Sequence, residues 1–414
     1  MKLLAIETSC DETALAILTM RGTATAPHFS VLSHHVASQI SLHEQYGGVF
    51  PAMAKREHAK NIVPLLEKTL SDANLLFPFS LKKQREGFSH TTILKVEKLL
   101  VREKEMFEQL IPYLRTYKKP DVDAIAVTVG PGLEPALWVG INLARVLSYL
   151  WDIPIVPVNH MEGHILSFLV STNKDIQELS YEKFDVPFFQ FPILSLLVSG
   201  GHTEIVLVKK WGAYTVLGSN VDDAVGEAFD KVARMLGLSY PGGPKISALA
   251  EEVRKKMLKN KLEIRSFLPR PMLYSGDFKF SYSGLKTAVL YYIRDLTNQN
   301  KRSLTPDEKK SIAFEFENAA IEVLVSKTLR AIKKYNIRVL VVGGGVAANS
   351  HLRKELTDQV SAFDASIQVH FPIPELSTDN AIMIGIAGGL HFLRTKKGVK
   401  YSSKKLLANG NMSL

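Results

Sequence analysis

The sequence predicts an α/β protein with two related lobes, and three observations support this. Residues 3–7 and 14–18 are apolar runs that flank a polar turn, and residues 194–198 and 205–208 repeat the pattern around a second small turn. A strand-like run, a glycine turn and a helical pattern also occur twice, at Gly130 and at Gly343. With 414 residues, the chain exceeds the size at which a single core keeps growing. We therefore expect a duplicated α/β fold that binds ligands where its strands end.

The lobe boundary is expected near residue 190. Residues 1–190 would form the first lobe and residues 191–378 the second, while residues 379–414 would form a C-terminal helix and a basic tail that pack back on the first lobe. Residues 77–119 hold ten basic and five acidic side chains, and apolar residues recur at helical spacing from Val96 to Leu114. This pattern predicts a basic helical insert, most simply an amphipathic helix on the lobe surface.

Composition indicates an ordinary globular protein with an excess of basic residues. Lysine and arginine outnumber the acids 51 to 41, which suits a polyanionic partner such as nucleic acid, although the same excess also keeps many proteins soluble. Cys10 is the only cysteine, so an intrachain disulfide and a thiolate zinc cluster are both excluded. Because the first residues lack the apolar stretch of a signal peptide and no later run would span a bilayer, we expect a cytoplasmic protein with no membrane segment.

Two histidines form a candidate metal site. His160 and His164 lie four residues apart, so on a helix both imidazoles share one face. Asp379, at the start of a later helical pattern, is the candidate third ligand. Two histidines and one carboxylate would leave open positions on iron or zinc. The alternatives are that the histidines belong to the core and that Asp379 only satisfies helix N–H groups.

A zinc protease also places two histidines four residues apart on a helix. Such enzymes carry the general base directly after the first histidine. Here Glu162 lies two residues after His160, roughly 200° around the helix. Peptide hydrolysis is therefore a minor alternative.

Two glycine turns are candidates for nucleotide binding. Residues 199–201 and 343–345 lack bulky side chains, so backbone N–H groups would approach a phosphate closely. Neither turn fits a P-loop or a dinucleotide-binding motif, and glycine turns after strands also arise for purely steric reasons. The acids at 222–230 are interpreted mainly as caps of the helix that follows them. The turn at 241–244 is either a linker or a wall of a ligand pocket.

Taken in order, these segments resemble the universal tRNA threonylcarbamoyladenosine synthesis family, formerly described as glycoproteases. The resemblance covers nearly the whole chain. Its motifs are ETSCDET at 7–13, GPGL at 130–133, HMEGH at 160–164, LVSGGHT at 197–203, DDAVGEAFDK at 222–231, YPGGP at 240–244, FSYSGLKT at 280–287 and STDN at 377–380.

The resemblance implies an actin-like ATPase (ASKHA) fold, in which two related lobes enclose a central cleft. It also implies that His160, His164 and Asp379 hold one divalent ion, Fe2+ or Zn2+. The residues implied to hold threonylcarbamoyl-AMP, or ATP or ADP, are Leu197, Val198, Ser199, Gly200, Gly201, Asp230, Gly243 and Asn349. Leu197 and His202 replace a tyrosine and an asparagine of the archaeal and eukaryotic members, which indicates the bacterial branch.

The family reaction transfers the threonylcarbamoyl group to N6 of the adenosine 3′ of the anticodon, in tRNAs that read codons beginning with A. We hypothesise that Asp11 or Glu12 assists proton removal.

The partners implied by the resemblance are tRNA, a shorter catalytically inactive paralogue that forms a heterodimer, and a small P-loop ATPase. The insert at 77–119 and the pair Glu134 and Pro135 depart from the family pattern. The candidates for tRNA contacts are Arg394, Lys396, Lys397, Lys400, Lys404 and Lys405, with a frayed tail as the simpler alternative. A sugar kinase or other actin-like ATPase and a non-catalytic nucleotide-dependent scaffold remain the alternative classes.

Overall fold

A computed structural model of the chain gives the architecture. It describes residues 1–23, 27–81, 88–170, 184–185, 191–260, 266–395, 398–400, 402–403 and 406–414. These residues form two units. Unit 1 comprises Met1–Gln39, Val49–Phe188 and Thr378–Leu414, and unit 2 comprises Ile40–Gly48 and Phe189–Ser377.

Unit 1 contains a six-stranded sheet. Its strands are β1 (Lys2–Glu7), β2 (Glu12–Gly22), β3 (Pro27–Ser38), β4 (Ala124–Gly130), β5 (Ile155–Asn159) and β6 (Phe184–Asp185), in the order β5-β4-β1-β2-β3-β6. The strands β1, β2 and β3 pair antiparallel, whereas β4 and β5 join β1 in parallel. The parallel strands β1, β4 and β5 end at the same edge of the sheet. The helix that carries His160 and His164 follows β5 at this edge.

Unit 2 repeats this arrangement. Its strands are β7 (Ile193–Val198), β8 (Thr203–Lys210), β9 (Ala213–Ser219), β10 (Val339–Gly343) and β11 (Gln368–His370), in the order β11-β10-β7-β8-β9. Again the first three strands pair antiparallel and the last two extend the sheet in parallel. The two units therefore share strand order and direction, and the predicted duplicated α/β fold of the actin-like ATPase type is confirmed.

Helices cover the sheets. They are α1 (Ile40–Glu44), α2 (Pro51–Asp72), α3 (His90–Leu99), α4 (Lys104–Thr116), α5 (Glu134–Trp151), α6 (His160–Leu166), α7 (Val225–Met235), α8 (Gly242–Asn260), α9 (Ser283–Asn300), α10 (Pro306–Tyr335), α11 (Ser350–Phe363) and α12 (Ala381–Thr395). Among the residues described, none of these helices is both long and apolar enough to cross a membrane. The short helix α1 belongs to unit 2, where Glu44 pairs with Lys245 of α8 at 3.1 Å.

Helix α12 lies unusually close to the sheet of unit 1. A Cβ added at Gly385 would lie 2.3 Å from Leu18 of β2, and one added at Gly388 would lie 2.5 Å from Ala126 of β4. These glycines therefore let the helix backbone pack directly on the strands. This packing fixes the start of α12, and with it the position of Asp379.

The insert packs against unit 1 as two helices, α3 and α4. Val96, Leu100, Leu110 and Leu114 are buried in the same core as α2 and α5. The apolar stripe read from the sequence thus marks a buried face, which a loosely attached surface helix would not have.

The last residues of the chain contribute to unit 1. Leu406 is fully buried, Asn409 donates a backbone hydrogen bond to Val129 at 2.9 Å, and the side chain of Asn159 donates to the carbonyl of Ser413 at 3.1 Å. Residues 406–414 therefore cover the GPGL turn and the start of α6, whereas the frayed-tail alternative concerned the basic run that ends at Lys405. Of the basic residues proposed to contact tRNA, Arg394 and Lys400 are described, while Lys396, Lys397, Lys404 and Lys405 lie outside the described residues.

Candidate functional site

The two candidate metal-binding histidines lie on the short helix α6. The side chain of Asn159 accepts hydrogen bonds from the backbone N–H groups of Met161 and Glu162 at 2.8 and 3.4 Å, so the helix begins at His160. The spacing of four residues puts both imidazoles on one face, with ring centroids 4.6 Å apart. The side chain of His164 is fully buried and that of His160 is 9% exposed.

Asp379 meets both histidines. Its Oδ1 atom lies 3.4 Å from Nε2 of His160 and 3.2 Å from Nε2 of His164. Asn380 caps the following helix instead, because its side-chain oxygen accepts the N–H of Met383 at 3.0 Å. The capping role considered for Asp379 thus belongs to its neighbour, and the Asp379 carboxylate faces the two imidazoles.

The donor set fits a divalent cation. One potential ligand atom from each of the three residues lies within 4.8 Å of the others. Among the residues described, neither ring nitrogen of the buried His164 makes a hydrogen bond, although Nε2 is directed at Asp379. A buried nitrogen without a hydrogen bond is costly in a native fold, and an ion shared with the carboxylate would remove that cost.

The electrostatics of the site also favour a cation. Burial opposes the charged form of His160, yet Asp379 and Glu7 raise the pKa of this imidazole well above its usual value. Burial would likewise raise the pKa of Asp379, but the charge of His160 and contacts with both histidines hold it well below its usual range. Burial lowers the pKa of His164, which keeps this ring in the neutral form that binds metals. Positive charge beside the Glu7 and Asp379 carboxylates is therefore stabilising in this site.

Glu7 orients His160, and the sequence analysis did not identify it. Its carboxylate is fully buried and lies 3.0 Å from Nδ1 of His160. It also accepts hydrogen bonds from the hydroxyl of Thr128 at 2.6 Å and from the backbone of Ser9. A carboxylate on Nδ1 fixes the ring tautomer and leaves Nε2 for a ligand. The available signal was a carboxylate that ends an apolar strand just before a polar turn.

We expect Glu7→Gln to weaken metal binding about ten- to hundredfold, because a carboxamide accepts at one oxygen only and its NH2 group would face a donor. Competition with a chromophoric chelator measures this affinity directly. Glu315→Gln is a matched control, since Glu315 is a buried carboxylate of unit 2 that accepts the backbone N–H groups of Phe267 and Leu268 at 3.1 and 3.3 Å. Equal metal affinity in Glu7→Gln and the wild type would contradict the orienting role.

The carboxylate of Glu162 is paired with a histidine that is not a candidate metal ligand. Its carboxylate contacts His391 of α12, so it ties α6 to the helix that follows Asp379. The zinc-protease alternative requires a free glutamate base next to the first histidine. The arrangement therefore gives that alternative no support.

The two candidate proton acceptors lie in the turn between β1 and β2. Asp11 and Glu12 are both buried, and Ser38 donates a hydrogen bond to Glu12 at 3.4 Å. Burial, followed by the charges of Asp11 and Asp379, raises the pKa of Glu12 well above its usual value. Glu12 is thus within electrostatic range of the candidate metal ligands, and a general-base role for either residue stays a prediction.

In unit 2, the predicted substrate residues Val198 to Gly201 form part of what we call the glycine cradle: residues 198–201, Gly226, Asp230, residues 242–243 and residues 344–345. A Cβ at Gly226 would lie 2.6 Å from the carbonyl oxygen of Ser199, and one at Gly344 would lie 2.4 Å from that of Val198. The strand-ending turn therefore packs between the start of α7 and the turn after β10.

The cradle borders open space. A Cβ added at Gly200, Gly201, Gly243 or Gly345 would meet no atom within 4 Å. Asp230 on α7 holds the neighbouring turn, because its carboxylate accepts the N–H of Gly242 at 2.7 Å. The cradle thus offers backbone atoms close to a surface that a phosphate or ribose would reach.

Two predicted residues have their side chains engaged within unit 2. Leu197 is fully buried. Asn349 caps α11 by accepting the N–H of Leu352 at 2.9 Å, and its amide nitrogen donates to Ser247 and Glu317 at 2.9 and 2.8 Å. Contact between these two residues and a substrate remains a prediction.

The acidic residues before α7 make contacts that differ from those the sequence predicted. Asp222 accepts the backbone N–H groups of Tyr282 and Ser283 at 2.8 and 3.3 Å, and so stabilises the start of α9. Asp223 pairs with Lys231 at 2.8 Å and with Lys286 of α9. The expectation that these acids mainly cap α7 was therefore wrong for this pair, since they join the DDAVGEAFDK motif to the FSYSGLKT motif.

Comparison with known proteins decides the family. The sequence profile described as "TsaD: tRNA N6-adenosine threonylcarbamoyltransferase" matches residues 30–78 and 104–386. The chain belongs to this family. The tRNA N6-adenosine threonylcarbamoyltransferase of Nitrosospira multiformis is 40% identical over 405 residues, which cover 98% of this chain and 94% of that protein. The protein of the same name from Burkholderia thailandensis is 39% identical, with coverages of 95% and 93%.

Membership of the tRNA N6-adenosine threonylcarbamoyltransferase family makes this chain a transferase that modifies tRNA. The family is metal-dependent, and the site formed by His160, His164 and Asp379 is a possible metal site in this chain. Among solved structures, full-length HypF in its phosphate- and nucleotide-bound form has a TM-score of 0.48 at 12% identity, covering 97% of this chain and 47% of that one. A likeness at that level adds nothing to the assignment.

Proposed function

We propose that the protein transfers the threonylcarbamoyl group from threonylcarbamoyl-AMP to N6 of the adenosine 3′ of the anticodon, in tRNAs that read codons beginning with A. The observation that carries this proposal is the convergence of His160, His164 and Asp379 at one largely buried site of a family member. The glycine cradle of unit 2 supports binding of the adenylate.

The reaction is acyl transfer at a carbamoyl carbon. The N6 amine attacks the carbonyl, the bond to the phosphate oxygen breaks, and AMP leaves. Because the amine lone pair is delocalised into the purine ring, alignment of the partners matters most, with up to about 7–11 kcal/mol available from positioning. A divalent ion held by His160, His164 and Asp379 would polarise a carbonyl or phosphate oxygen.

Residues of the chain supply the other contributions. Glu7 keeps Nε2 of His160 directed at the ion site. Asp11 or Glu12 accepts the proton that N6 loses on acylation, and the raised pKa of Glu12 makes this carboxylate a stronger base once ionised. Backbone N–H groups at Gly200, Gly201 and Gly243 would bind the adenylate phosphate.

The proposal extends to the ion, the partners and the location. Two imidazoles and a carboxylate suit Fe2+ best under reducing conditions, with Zn2+ as the alternative. A shorter catalytically inactive paralogue and a small P-loop ATPase would act together with this chain in the reaction cycle. Because the substrate is tRNA, the reaction would take place in the cytoplasm.

The decisive assay is mass spectrometry of digested tRNA after incubation with threonylcarbamoyl-AMP, or with threonine, bicarbonate, ATP and the partner proteins. We expect threonylcarbamoyladenosine with the wild-type chain and none above background with His160→Ala. Phosphorylation of a hydroxyl compound by ATP would favour the sugar-kinase alternative. Full product formation by His160→Ala would favour a scaffold.

A further inference from the structure

A cationic groove of about 310 Å3 lies on unit 1. One wall is α2 and the other is the turn that joins α3 to α4, so we call it the α2–α4 groove. Its basic side chains are Lys55, Arg56, Arg102 and Lys104, and its acidic side chains are Glu103 and Glu105. None of these residues belongs to the site described above.

The floor of the groove is held in place by a buried carboxylate. The side chain of Glu103 is fully buried, lies 3.4 Å from Nζ of Lys55 and accepts a hydrogen bond from Asn142 of α5 at 2.9 Å. Lys55 also donates to the carbonyl of Arg102 at 3.0 Å. The turn is therefore tied to α2 and α5, and Lys55 and Glu103 balance each other's charge.

The remaining cations are available to an outside anion. Arg56, Arg102 and Lys104 are exposed, and in the part of the chain that is described their side chains have no carboxylate within 4.0 Å and no hydrogen bond. Only Glu105 opposes them in the groove. The apolar lining is Ala59 and Val101, so the groove offers no aromatic surface on which a base would stack.

The groove lies near the candidate metal ligands along α2. His58 follows Lys55 by three residues, a rise of about 4.5 Å along the helix. The ring of His58 contacts the carbonyl of Cys10 at 3.0 Å and the hydroxyl of Thr13 at 2.7 Å. The neighbouring Ser9 lies 3.2 Å from Nδ1 of His160. The groove and the metal ligands are therefore linked within unit 1 through His58 and Ser9. We take the backbone of a bound polynucleotide to extend from one to the other.

We propose that the α2–α4 groove binds backbone phosphates of the tRNA substrate. The proposal rests on the proposed function, because it takes the metal ligands as the place where the adenosine reacts. Guanidinium and ammonium groups donate to phosphate oxygens, and such contacts position a nucleic acid without reading its sequence. Residues 79–103, which include the turn that forms one wall of the groove, lie outside the ranges that match the family profile.

The test is tRNA affinity measured across a series of salt concentrations. For the triple variant Arg56→Gln, Arg102→Gln and Lys104→Gln, we expect the slope of log Kd against log salt to fall by about two to three, since each phosphate contact contributes about 0.7–0.9. At about 0.1 M salt, Kd should rise on the order of a hundredfold or more, because a slope change of about two to three acts over a full decade below 1 M. The rate at saturating tRNA should stay at the wild-type value, because none of the three side chains belongs to the reacting site.

A charge-matched control separates a built groove from general basicity. The triple variant Lys255→Gln, Lys256→Gln and Lys259→Gln removes the same charge from α8 of unit 2 and should leave the slope unchanged. An unaltered slope in the groove variant, or equal losses in both variants, would overturn the proposal. Loss of binding to an acidic protein partner with normal tRNA affinity would also overturn it. The proposed function fails separately, if the wild type makes no modified nucleoside.

Discussion

Asp379→Asn is expected to reduce threonylcarbamoyl transfer on the order of a thousandfold, because Lewis-acid stabilisation is worth several kcal/mol and each 1.36 kcal/mol is tenfold in rate. Asp379 is the only carboxylate among the three candidate ligands. Its replacement removes the negative charge while keeping the shape of the side chain. Steady-state kinetics with saturating tRNA and adenylate, together with metal analysis of the same samples, measures both consequences.

Asp152→Asn is the matched control for this substitution. Asp152 is an exposed aspartate of unit 1 that follows α5 with φ of 51°, a conformation that asparagine also adopts readily. Its variant should keep wild-type activity and metal content. If Asp379→Asn retained activity within a few-fold of the wild type with unchanged metal content, the ligand assignment would be wrong.

Gly243→Val is expected to raise KM for the adenylate about a hundredfold while leaving the thermal unfolding temperature unchanged. A side chain at Gly243 would point into open space, so folding loses nothing. The same side chain would occupy the volume through which a phosphate approaches the backbone N–H groups of the cradle. Adenylate binding by calorimetry and thermal melting of the apo protein together give the two readouts.

Two other glycines give opposite controls. Gly276→Val also points into open space but lies outside the cradle, and it should change neither adenylate binding nor stability. Gly344→Ala should destabilise the fold, because this residue has φ of 90° and its Cβ would lie 2.4 Å from the carbonyl oxygen of Val198. Wild-type adenylate affinity in a folded Gly243→Val protein would remove this residue from the proposed binding site.

The repeated chain pattern was sufficient to predict the fold class. Two strand-turn-strand segments and two strand-glycine-helix segments correspond to sheets with the same order and direction. Alternation and glycine placement are local properties, so a single sequence contains them. The spacing of His160 and His164 on one helix face is local in the same sense.

Contacts between distant segments were harder to predict. Glu7 lies 153 residues before His160, and Asp222 lies 60 residues before Tyr282. Nothing in the local pattern distinguishes an acid that caps its own helix from one that caps another. The same limit applies to the last residues of the chain, because Ser413 accepts a hydrogen bond from Asn159, which lies 254 residues earlier.

The central claim is that His160, His164 and Asp379 together bind one divalent ion. X-ray absorption spectroscopy on protein loaded with Fe2+ under anaerobic conditions, combined with metal counting, tests it most directly. We predict one ion per chain with two imidazoles among its ligands, and loss of that ion in the His160→Ala and His164→Ala variants. A wild-type spectrum without imidazole ligands, or an ion retained with full affinity in both variants, would contradict the account.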